Sequence, residues 1–104
     1  MDLPMASICS LDDPGLRLQL ERYRRAGRGA RLLERTPRRV VAEFDQDVET
    51  PLIEETIALE RECCAFFTLN WQPERRWLTI AVGEAEHERA LGAIASALDV
   101  RSSD

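Results

Sequence analysis

The sequence predicts one α+β domain: an N-terminal helix, then two ββα units that form a four-stranded antiparallel sheet with helices packed on one face. Three observations lead there. Apolar residues recur at three- and four-residue spacing in three segments, and two pairs of short β-prone runs each flank a proline-containing turn. A chain of 104 residues also has apolar surface for one core rather than two. The domain is taken as residues 1–104, with 1–12 as a lead and 101–104 as a frayed tail.

Asp12-Asp13-Pro14 has helix-start chemistry, an acidic cap followed by proline in the first turn. Leu16, Leu20 and Tyr23, joined by Leu18 and Ala26, form the apolar stripe, and Arg17, Glu21, Arg24, Arg25 and Arg28 the wet side. Gly27 and Gly29 end the helix. Leu32-Leu33 and Val40-Val41-Ala42-Glu43-Phe44 then flank Thr36-Pro37-Arg38, a hairpin in which Val40, Ala42 and Phe44 share one face and Val41 and Glu43 the other.

Thr50 caps the next helix with Pro51 at its first position, and helical periodicity runs from Leu52 through Phe67 without a breaker. Two adjacent stripes result: Leu52, Thr56, Leu59, Cys63, Phe66, and Ile53, Ile57, Glu60, Cys64, Phe67. Leu69-Asn70-Trp71 and Trp77 to Val82 bracket Gln72-Pro73-Glu74, a second hairpin closed by Gly83. A last helix starts at Glu84, acidic in its first turn, with Leu91, Ile94, Ala95 and Leu98 facing inward. The two halves share negligible sequence identity, so a pseudo-twofold sheet and a ferredoxin-like arrangement both stay open.

The opening residues lack a basic start and a long apolar stretch, so neither a secretion signal nor a membrane span is encoded in them. Three cysteines, two of them adjacent, suit a reduced chain better than a disulfide-stapled one, and the expected location is cytoplasmic. Every basic residue is arginine, which a GC-rich coding sequence produces without any demand for guanidinium chemistry. Between Arg17 and Arg39 nine arginines face only Glu21 and Glu34, a local +7 that the rest of the chain, at −12, turns into a net −5. Without base-stacking aromatics among them and on an acidic chain, they argue against a nucleic-acid partner and for internal ion pairs, including pairs with the acidic second helix.

Cys9, Cys63 and Cys64 carry the chemistry. A buried cysteine is ordinarily a small hydrophobe. Successive helical side chains diverge by about 100°, however, and packing gives no reason to place two thiols side by side. Coordination does, because soft thiolates favour soft or borderline ions: zinc, copper(I), mercury or trivalent arsenic. Two sulfurs near a helix end can reach one large ion, and Cys9 on the lead is the remaining third donor. Zinc takes four ligands, so Glu60, Glu62, His87 or water would complete its set, with Glu60 best placed one turn before Cys64. The plainer alternatives are a solvated glutamate at the helix margin and a surface histidine.

A redox pair is the rival reading, opposed by the strained ring that a disulfide between neighbours closes inside a helix. Cys–His catalysis has only His87 available, with no spacing signal. The favoured reading is therefore a non-catalytic metal-binding or metal-sensing accessory protein. The others are a thiol-dependent redox or detoxification enzyme, and a homodimeric interaction domain using surface around Trp71 and Trp77, with the cysteines as packing.

Cys9-Ser10-Leu11 and Glu60-Arg61-Glu62-Cys63-Cys64-Ala65-Phe66 resemble a family of small bacterial proteins, mostly of unassigned function. These share an N-terminal Cys-Ser/Thr-Leu and a Glu-Arg-Glu-Cys-Cys-x-Phe helix. The resemblance spans most of the chain and implies that Cys9, Cys63 and Cys64 form one constellation tied to heavy-metal handling. Many such proteins carry proline directly after the cysteine pair, where this sequence has Ala65.

Overall fold

The computed structural model describes residues 13–63 and 66–99, with side chains throughout except at 13, 14, 16 and 63. The elements in chain order are α1 (Asp13–Gly27), β1 (Ala30–Arg35), β2 (Arg39–Phe44), α2 (Thr50–Cys63), β3 (Thr68–Gln72) and β4 (Trp77–Ala81). A short 3-10 turn (Ala85–His87) and α3 (Glu88–Leu98) complete the chain. This is the mixed α+β architecture that the periodicities predict. The 1–12 lead and the 101–104 tail lie outside the described residues.

All strand pairs are antiparallel and the order is β1-β2-β4-β3, so the hairpins lie side by side through their second strands. Val40 pairs with Ile80 and Ala42 with Leu78, and Leu69 and Trp71 continue those rungs into β3. By the two-residue period these side chains share one face. They join Tyr23, Ala26, Ile53, Ile57, Leu91, Ile94 and Leu98 from the helices in a single core. Val41 projects from the opposite face yet is also buried.

Several boundaries differ from the sequence reading. Leu18 is exposed, and the buried residue beside it is Gln19, because a position two residues from Leu16 and Leu20 turns away from their stripe. α2 is described as Thr50–Cys63 and does not continue to Phe67: Phe66 already stands in a turn, Phe67 enters the core and Thr68 opens an edge strand that must run back along β4. The Glu49 carbonyl accepts the first α2 hydrogen bonds, from the Leu52 and Ile53 amides, while the Thr50 hydroxyl accepts from Arg76. The last helix begins with a 3-10 turn, and its regular α-helical part starts at Glu88 instead of Glu84.

Two contacts set the helix positions. A Cβ on Gly27 would lie 2.7 Å from the Leu98 carbonyl oxygen, so the C-terminal ends of α1 and α3 approach as closely as glycine allows. Arg76, in the left-handed region at φ 58°, donates from its guanidinium to the Phe44, Asp45 and Val48 carbonyls and to the Thr50 hydroxyl. Its own carbonyl accepts from the Phe44 amide, which ties the β3–β4 turn to the start of α2.

Candidate functional site

α1 and α2 meet along a buried polar seam. Gln19 and Tyr23 stand four residues apart on α1, and Thr56 and Glu60 stand four apart on α2, so each pair occupies one helix face. The pairs join as two rungs. Gln19 Nε2 donates to the Thr56 carbonyl at 3.0 Å, and the Tyr23 hydroxyl donates to Glu60 Oε1 at 2.6 Å. Arg22 closes the outer side, donating to Gln19 Oε1 and pairing with Glu55.

Glu60 is only 3 % exposed, which overturns the reading of a solvated glutamate at the helix margin. The correction follows from a neighbour the sequence does not show: Tyr23 supplies a donor where α1 covers the α2 seam. Burial raises the Glu60 carboxyl above the ordinary carboxylate range, while hydrogen bonds from Tyr23 and Gln19 pull the other way. Burial also pushes the Tyr23 hydroxyl well above its usual range, reinforced by the Glu60 charge, so Tyr23 stays protonated and serves as a donor. The Tyr23–Glu60 bond is short because its acceptor is a carboxylate in a site shielded from water.

Glu60 lies three residues before Cys63, the last residue of α2, and four before Cys64. Cys63 is the last described residue of α2, and Phe66, three residues on, stands in a turn. Cys9, Cys64 and the Cys63 side chain lie outside the described residues. Glu62, the second candidate acidic donor, is exposed.

Beyond the pair, the Phe66 ring stacks on His87 at 4.2 Å and touches Phe67 at 4.5 Å. His87 is thus half-buried against the turn that follows the cysteines, rather than a free surface histidine. Its donor atom lies within 4.8 Å of carboxylate oxygens of Glu84 and Glu86, both exposed.

The arginine-rich stretch is largely neutralised from within: Arg22, Arg24, Arg31, Arg35, Arg38 and Arg39 each pair with a carboxylate. Only Arg22 among them reaches α2, the others using α1, the strands, and the two ends of α3. The tryptophans are also engaged internally. Trp77 Nε1 donates to Glu43 Oε2 with the Arg75 guanidinium over its ring, and Trp71 meets Phe44 edge-on. No described helix is long and apolar enough to cross a membrane.

Tyr23, Gln19 and Thr56 were missed as partners of the site. Their four-residue spacings are visible in the sequence, but which rung faces which depends on the offset between two helices, and periodicity within either helix does not specify it. Compared with family models, curated proteins and solved structures, the chain matches none of them.

Proposed function

We propose that the protein is a cytoplasmic metal-binding or metal-sensing accessory protein. In this reading it holds a soft or borderline ion through the Cys9, Cys63 and Cys64 thiolates, with Glu60 as a fourth ligand or hydrogen-bond partner. The observation that carries it is a buried carboxylate held by Tyr23 one helical turn before an adjacent cysteine pair. A glutamine would accept the same hydrogen bond at lower desolvation cost, and a nearby cation is what makes the carboxylate the better group. The helix terminus helps, since two successive sulfurs need local departure from regular helix to converge.

Titration of the fully reduced chain with Zn²⁺, Hg²⁺ or Cu⁺ tests this. Saturation at a fixed stoichiometry, with all thiols then protected from alkylation and binding abolished in Cys64→Ser, is the expected result. Turnover of a thiol or disulfide substrate without stoichiometric binding would replace it with a thiol-dependent enzyme. Thiols that neither bind an ion nor react with alkylating agents before unfolding would leave them as packing.

A further inference from the structure

We propose that the outer flank of α2 is a self-docking surface, on which a second copy of this chain packs antiparallel with Glu54 of each copy paired to Arg61 of the other. The flank is the side of α2 turned away from the Thr56–Glu60 seam with α1. Glu54, Ile57, Ala58 and Arg61 follow one another at i, i+3, i+4 and i+7 and so share one helix face. With Trp71 of the edge strand β3 they line an open cavity of about 230 Å³. Ile57 is buried, whereas Ala58, at the middle of the flank, is exposed.

The charges on this face complement a reversed copy of it. Glu54 and Arg61 stand about 10 Å apart along the helix axis, too far to pair with each other. Neither has a carboxylate or guanidinium three or four positions away on α2, and neither forms an ion pair among the described residues. A two-fold axis passing between Ile57 and Ala58 inverts their order, sets each acid opposite a base, and brings the two small Ala58 side chains together where the helices must approach closely. Arg61 is already placed for this. It donates to the Leu69 carbonyl at 3.0 Å, which fixes its stem along β3 and blunts that edge against strand addition, so the helix flank is the element left to dock. Trp71 Nε1 is a buried donor with no acceptor among the described residues, and a carboxylate entering the cavity from a second copy supplies one.

Sedimentation equilibrium of the full chain tests this, with the protein fully reduced and a chelator present so that neither a disulfide nor a metal ion joins two copies. The wild type should dimerise reversibly. Glu54→Arg and Arg61→Glu each set like charges opposite one another twice per dimer and should weaken association at least about tenfold. An equimolar mixture of the two variants re-creates both opposite-charge pairs and should recover the wild-type dissociation constant within about threefold, a rescue that a merely structural defect would not give. Glu54 has no hydrogen bond or ion pair among the described residues, so Glu54→Arg reads the interface even where Arg61→Glu loses stability with its Leu69 contact. Ala58→Arg, which puts two long cationic side chains at the axis, should leave only monomer. A wild type that stays monomeric at every concentration, a dimer that Glu54→Arg and Ala58→Arg leave intact, or folded charge-reversal variants whose mixture fails to associate would each overturn the proposal.

Discussion

α1 presents two contacts that differ in kind. Toward α3 it offers Gly27 at near-backbone distance, with Leu98 and Ala97 opposite, in an apolar junction tightened by the absence of a side chain. Toward α2 it offers Gln19 and Tyr23, which meet Thr56 and Glu60 through buried hydrogen bonds. An apolar junction gains stability from area and fit alone. A buried polar one roughly recovers its desolvation cost and gains orientation instead. One helix thus separates the task of holding the fold together from the task of aiming a carboxylate.

The largest effect should come from the apolar side. Leu98→Ala is expected to cost about 2–5 kcal/mol in urea unfolding, through lost burial and the cavity left behind. Tyr23→Phe should cost less, about 1.5–3 kcal/mol near neutral pH, because it removes one hydrogen bond to a charged group and keeps the ring. Gly27→Ala should cost about 1–3 kcal/mol, since the added methyl meets backbone rather than a movable side chain. If Tyr23→Phe proved costlier than Leu98→Ala, the division of labour between the two junctions would be wrong.

The smallest and most diagnostic effect is that of Glu60→Gln, expected within about 1 kcal/mol of wild type in the metal-free protein. Its pH dependence sharpens the comparison. Burial raises the Glu60 carboxyl in the folded chain, so its stabilising contribution is complete below the unfolded-state pKa and fades as pH rises through the folded one. Glutamine does not titrate. Paired unfolding curves should therefore show Glu60→Gln gaining on wild type as pH increases across that interval, and a constant difference would mean that Glu60 ionises as freely in the fold as in the unfolded chain.

Much of the fold was legible because it rests on local chemistry. Pro37 and Pro73 mark the hairpin turns, and Val40, Ala42 and Phe44 alternate as a strand covered on one face must. The end of α2 was not legible: no breaker stands between Cys63 and Phe67, and the helix yields to the demand that Leu69 and Trp71 extend the sheet. Arg76 was hidden for a similar reason. A left-handed arginine has no local signature, and its value comes from carbonyls some thirty residues away in sequence.

For the site, the sequence singled out Glu60 as a candidate ligand by its place before Cys64, with a solvated glutamate as the plainer alternative, and neither reading foresaw a carboxylate buried against another helix. Its burial depends on Tyr23, which had been counted only as an apolar stripe residue. The hydroxyl at the tip of that side chain, not its ring, decides the environment of the carboxylate.

The guanidinium of Arg76 fixes the opening turn of α2 to a hairpin, and the opposite end of that helix carries Cys63. A helix of 14 residues is about 20 Å long, so its first turn acts as a fulcrum for displacements at its far tip. Any rearrangement of the sulfur-bearing terminus would swing the helix about this anchor, carrying the Tyr23 rung through a wider arc than the Gln19 rung.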